Sequence, residues 1–190
     1  GAGNLLGGAQ SGHIAAVGYD LYCEMVTEAV AELKGEPVAK SREISIDLPV
    51  QAYLPDDYVH LEELRLEAYR RLAGVTEIVE VADIEAEWID RYGLVPDPAQ
   101  TLLHIALLRA ECVRFEVSDI SVANRDRVRL SPIELKQSEQ IRFKRLINDG
   151  PYKGGIYKED FKELTLHTKS AGPNLPGELF SFLRELRPTE

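Results

Sequence analysis

From His13 to Lys34 the apolar residues Ile14, Val17, Leu21, Met25, Ala29 and Leu33 recur at steps of three and four. That spacing makes one stripe along an amphipathic helix. Ser11 is placed to cap the helix, and Gly35 followed by Pro37 ends it. The pattern then changes period. Glu43-Ile44-Ser45-Ile46-Asp47-Leu48 alternates strictly and predicts a half-buried strand. Pro55-Asp56-Asp57 marks a turn. Helical spacing returns over His60–Leu72, stopped by Gly74, and over Glu77–Tyr92, stopped by Gly93. Pro98 suits a first helical position, so a leucine-rich third helix is expected over Ala99–Arg114.

Beyond Phe115 the spacing is that of strands. Val117–Val122 and Arg127–Leu130 flank Ala123-Asn124-Arg125-Asp126, which reads as a hairpin turn. Pro132 is expected to open a helix running through Ile147, and Asp149-Gly150-Pro151 and Gly154-Gly155 to break the chain. Phe161–Leu166 reads as a strand and Gly177–Leu186 as a short closing helix. Strands joined by a hairpin rather than by regular crossovers predict an α+β fold. The expected form is a small, mostly antiparallel sheet with helices packed on it, preceded by an N-terminal loop and long helix.

Composition narrows this little. With 190 residues, 44% hydrophobic and 28% charged, the chain reads as an ordinary globular protein. Cys23 and Cys112 stand far apart inside apolar helical patterns, as reduced core residues of an intracellular protein do. No run approaches the ~18 apolar residues of a membrane span, and no signal-peptide pattern opens the sequence. The expected location is therefore the cytoplasm, with no membrane partner. The net charge of −10 disfavours anionic partners if it is spread evenly.

It is not spread evenly. Asp56–Asp90 holds eleven acidic residues against Arg65, Arg70 and Arg71, and Arg125–Arg145 holds seven basic residues against three acidic ones. On the Glu77–Tyr92 helix, Val81, Ile84, Trp88 and Tyr92 step along one side, and Glu80, Asp83, Glu87 and Asp90 along another. At 100° per residue those four acids fall within about 80°. Arg91 is four residues from Glu87, at pairing distance on a helix. No lysine interleaves the acids, which separates this stripe from an ordinary solvated face. The basic 125–145 stretch supports a rival expectation, an accessory DNA-binding module.

Catalytic motifs are missing where chemistry would need them. The opening GAGNLLGGAQSGH invites comparison with phosphate loops, but Gly3 and Gly7 are spaced too widely for G-x-G-x-x-G, and no strand precedes them. The nearest approach to a Walker loop, Gly35–Ser41, has Ala39 in place of its second glycine. His13, His60, His104 and His167 are scattered, without cysteine or carboxylate at metal-ligand spacing. His104, inside an apolar helix, reads as a core or boundary histidine. No serine sits in a nucleophile elbow. No catalytic residue and no metal ligand is assigned.

The run Gly1-x-Gly3-x-x-x-Gly7-x-x-Gln10-Ser11-Gly12 does match something. It resembles the end of the TRG motif, the translocation signature shared by RecG helicases and the bacterial transcription-repair coupling factors. His13-Ile14-Ala15-Ala16-Val17-Gly18-Tyr19-Asp20-Leu21-Tyr22 and Glu87–Pro98 look like the coupling factors specifically. The similarity covers roughly residues 1–115. The TRG helical hairpin and the arginine that usually precedes Gly1 do not stand in this chain.

The resemblance implies a much longer parent: an ATP-driven double-stranded DNA translocase, using ATP and magnesium, that displaces stalled RNA polymerase and recruits UvrA for nucleotide excision repair. Its ATPase motifs lie outside this chain, for which neither cofactor nor enzyme activity is expected. Residues 1–12 become the tail of the TRG motif, 13–40 a connecting helix and linker, and 41–190 a C-terminal autoinhibitory domain. Gly3, Gly7, Gln10, Ser11 and Gly12 are implied as translocation-coupling residues. In the family the C-terminal domain clamps a UvrB-like N-terminal module and hides its UvrA-binding surface. The match of Glu87-x-x-Asp90-Arg91 to the family's clamp residues implies that Glu87, Asp90 and Arg91 make that contact.

Overall fold

The computed structural model describes residues 44–124, 126–149, 152–167 and 174–189. The predicted helix at His13–Lys34, Cys23 and the glycine-rich opening lie outside the described residues. The described chain falls into two compact units, one formed by 51–107 and the other by 44–50 together with the residues from 108 on.

The first unit is helical. It holds α1 (Glu62–Ala73), α2 (Ile78–Tyr92) and the leading part of α3 (Asp97–Phe115). The apolar residues that the spacing singled out turn inward: Leu72, Val81, Ile84, Trp88, Leu102 and Leu103 are all buried. The loop before α1 is pinned by two tyrosines. The Leu54 N–H donates to the Tyr69 hydroxyl (2.7 Å), and the Tyr58 hydroxyl donates toward the carbonyls of Trp88 (3.2 Å) and Gly93 (2.9 Å). The rings of Tyr58 and Tyr92 meet edge-on, with centroids 5.6 Å apart. Gly93 ends α2 at φ +88° and ψ −159°, a conformation essentially confined to glycine. A Cβ there would meet nothing within 4 Å, so the requirement is for the backbone alone. Gly93→Ala is expected to cost about 1–3 kcal/mol through strain alone, read by denaturant unfolding.

The second unit is a five-stranded sheet with helices on one face. β1 (Ser45–Asp47), β2 (Asp119–Asn124), β3 (Arg127–Ser131), β4 (Ile156–Lys158) and β5 (Glu163–His167) lie in the order β1-β2-β3-β5-β4. Only the β1–β2 pairing is parallel. The strands alternate as a half-buried sheet should. Ile120, Val128, Leu130, Leu164 and Leu166 are buried, while Ser121, Arg129 and Thr165 line up in register on the other face. The buried row packs in one core with the end of α3, with α4 (Gln137–Asp149) and with α5 (Leu175–Leu186). At its centre Phe182 meets Tyr152 and Phe143 edge-on, at centroid distances of 4.7 and 6.2 Å. Burial, reinforced by Glu185 and Glu178, pushes the Tyr152 phenol up to about 12, and its hydroxyl donates to the Glu178 carbonyl (3.0 Å).

The expected α+β class and mostly antiparallel sheet are therefore present. Two local expectations are corrected. Pro132 does not open a helix: α4 begins at Gln137. In between, Ile133 and Leu135 are buried while Pro132, Glu134 and Lys136 are exposed, the alternation of extended chain, and the Ile133 N–H donates to the Lys162 carbonyl (2.8 Å). The expected strand from Phe161 starts later, because Glu159–Phe161 forms a 3-10 turn ahead of β5. β4 was not expected at all. It follows Gly155, where even a Cβ would lie 2.8 Å from Ile147 Cγ2, so the chain can come this close only as glycine.

Glu111 and Glu139 are buried, and each is met by arginine. Glu111 accepts from Arg114 Nε (2.8 Å) and lies 3.5 Å from Arg184. Glu139 is gripped by Arg187 through Nε (2.5 Å) and Nη2 (3.0 Å), and it also accepts from the Lys136 N–H (2.9 Å). The Arg187 guanidinium lies 4.0 Å from the Phe115 ring centroid and donates to the Arg114 carbonyl (3.0 Å).

Candidate partner-binding surface

Helix α2 carries the predicted site. Its start is fixed by a capping box in which the Glu80 carboxylate accepts from the N–H groups of Glu77 (2.9 Å) and Thr76 (3.1 Å). Those backbone donors, Thr76 first, hold the Glu80 carboxyl below its ordinary value. Glu80 is thus part of the helix start, leaving Asp83, Glu87 and Asp90 on the acidic flank. Val81, Ile84 and Trp88 fasten the helix to its own unit. Asp83, Asp90 and Arg91 are exposed.

No lysine interleaves the acids along α2, but arginines from α1 and from α2 itself meet Glu87 on its surface. Arg71, from α1, hydrogen-bonds Glu87. Arg91 reaches the other carboxylate oxygen of Glu87 at 3.1 Å. Arg71 first, and then Arg91, outweigh slight desolvation and hold the Glu87 carboxyl below its ordinary value. Of the three implied contact residues, Glu87 and Arg91 are brought together. Asp90 stands apart, exposed and without a side-chain partner among the described residues. Arg71 was missed because it sits sixteen residues away on another helix. Arg91 also lies over the Tyr92 ring, 5.1 Å from its centroid, which limits the directions its guanidinium can take. Two exposed apolar residues border this surface: Ile89 is 46% and Leu94 is 89% exposed.

Such a surface offers a carboxylate, a guanidinium and apolar contact area to something large. Among the described residues no group of three His, Cys, Asp or Glu is arranged to hold a metal. His104 is half-buried, its Nε2 3.5 Å from Gln100 Nε2, and desolvation lowers its pKa. Cys112 is buried in the core of the second unit. No helix of the described residues is long and apolar enough to cross a membrane.

The basic 125–145 stretch is divided by the fold. Arg129 stands 3.7 Å from Asp119, and Arg142 turns in to donate to the Leu186 carbonyl (2.7 Å). Lys136, Lys144 and Arg145 face solvent on and beside α4. Arg125 lies outside the described residues, as do Gly3, Gly7, Gln10, Ser11 and Gly12.

Fold and surface together define an α+β domain with a charge-bearing helix flank. A family model described as the TRCF domain matches residues 48–146. The transcription-repair-coupling factor of Mycobacterium tuberculosis is 44% identical over 169 residues, covering 83% of this chain and 13% of its own length. That of Escherichia coli K12 is 40% identical over 122 residues, or 62% of this chain and 11% of the relative. A crystal structure of the C-terminal domain of a transcription-repair coupling factor superposes with a TM-score of 0.63 at 21% identity, covering 76% of this chain and 91% of that one. The chain belongs to the transcription-repair-coupling factor family and corresponds to its C-terminal domain. It spans little more than a tenth of the length of the curated relatives it matches.

Proposed function

We propose that this domain is an autoinhibitory latch of a longer protein. The parent is an ATP- and magnesium-dependent DNA translocase of the bacterial cytoplasm that displaces stalled RNA polymerase and recruits UvrA. In the resting state, the α2 flank holds a UvrB-like N-terminal module of the same protein and masks its UvrA-binding face. Gly3, Gly7, Gln10, Ser11 and Gly12 belong to the motor's translocation-coupling loop. The supporting observation is that Asp90 and Arg91, consecutive along α2 and oppositely charged, are both exposed on a helix whose inner side is fixed by Trp88. Asp90 offers an unshared carboxylate to a cation on the module. Glu87 aims the Arg91 guanidinium at a partner acid.

A modest energy is enough for such a latch. Holding it 99% closed takes about 2.7 kcal/mol, at about 1.4 kcal/mol per tenfold. Close complementary charge pairs across an interface supply ~1.5 kcal/mol or more each. Engagement with polymerase and DNA can overcome that much. The test is Asp90→Ala, alone and with Glu87→Ala, in the full-length protein. UvrA binding and ATP turnover are expected to rise about tenfold, as loss of one ~1.4 kcal/mol contact dictates. Unchanged binding and turnover in variants that keep their fold would refute the latch.

A further inference from the structure

Helix α4 turns Gln137, Ser138, Ile141, Lys144, Arg145 and Asn148 to solvent. At 100° per residue they fill an arc of about 120° with Ile141 at its middle. No carboxylate stands in that arc. The helix's Glu139 is buried on Arg187, and Asp149 falls just outside. Ile141 is 51% exposed. The face is thus an apolar knob flanked by two cations, in a chain of net charge −10.

The outer side of α2 is its complement. Val79, Ala82, Ala86 and Ile89 fall within about 80° of the helix surface and all are exposed. Ala82 and Ala86, one turn apart, leave a hollow between the larger Val79 and Ile89. Asp83 and Asp90 border that hollow, both exposed. We infer that the outer face of α4 docks on the outer face of α2 of a second copy of this chain, Ile141 filling the alanine hollow and Lys144 and Arg145 facing Asp83 and Asp90.

Nucleic acid is the less favoured occupant. A phosphate backbone would leave Ile141 without an apolar partner and would have to approach a strongly anionic protein. A contact of one helix face on another is small, below about 1,200 Å² in total, and belongs to the weak, transient class. The inference does not rest on the latch reading, because its test uses this chain alone.

Sedimentation equilibrium of the whole chain is expected to show self-association at high protein concentration that weakens with added salt. Lys144→Glu with Arg145→Glu should raise the dissociation constant about tenfold or more, and so should Asp83→Lys with Asp90→Lys. Mixing the two double variants should restore association, because the reversed charges match again across one contact. Ile141→Asn, whose fold is checked by circular dichroism, should abolish it without changing net charge. A chain that stays monomeric up to about 1 mM, an affinity floor of about 1 mM in dissociation constant, overturns the inference. So does association that ignores both charge reversals. So does a fluorescent duplex that binds the wild type and is released by the Lys144/Arg145 reversal when no self-association is seen.

Discussion

Arg187→Ala is expected to destabilise the second unit by about 3 kcal/mol, because it leaves the Glu139 carboxylate buried and unpaired. The substitution also removes the donation to the Arg114 carbonyl and the stacking on Phe115. A loss of that size lowers the melting temperature by about 6–12 °C in a chain of this length. Its pH dependence is specific. Burial pushes the Glu139 carboxyl up, but Arg187 and the Lys136 N–H outweigh it, so in the folded state the group sits below its ordinary 4.5. A carboxyl depressed on folding adds stability above the unfolded value, and that stability is lost as pH falls through the folded value. The gap between wild type and Arg187→Ala should therefore be widest near neutral pH and close in acid, where a protonated Glu139 needs no cation. Thermal unfolding at several pH values checks this. A gap that does not change with pH would show that lost packing, and not the pair, sets the cost. Arg187→Lys should fall between the two, since it keeps the charge but not the two-pronged grip.

Phe182→Ala is expected to cost about 4 kcal/mol, measured by denaturant unfolding. The ring is fully buried among Tyr152, Phe143 and the sheet residues, so its removal loses apolar contact and opens a cavity. Phe161→Ala is the matched control. That ring is 75% exposed, and its loss should change stability by no more than about 0.5 kcal/mol. A similar cost at the two positions would mean that the aromatic cluster is not the centre of this core.

The sequence carried the strongly periodic elements well. The α2 stripe of Val81, Ile84 and Trp88 is buried as its spacing requires, and the alternation around Ile120 and Leu130 reappears as buried sheet positions. What it lost were features decided by distant residues. Pro132 has the local signature of a helix start, yet the stretch after it is extended, with Ile133 bonded to Lys162 across the chain. β4 is three residues long, too short to show a period, and it exists by pairing with β5. At the candidate site the acids of α2 were legible, but the arginine from α1 that balances Glu87 was not. Helical spacing reports neighbours within four residues and is silent on cations that arrive from another element.

Trp88, buried on the inner side of α2, is the chain's sole tryptophan. Its intrinsic emission therefore reports the melting of the helical unit by itself, while both Arg187 and Phe182 lie in the sheet unit. Following that emission beside circular dichroism in the two variants would reveal whether the halves of this polypeptide come apart in one cooperative step or separately.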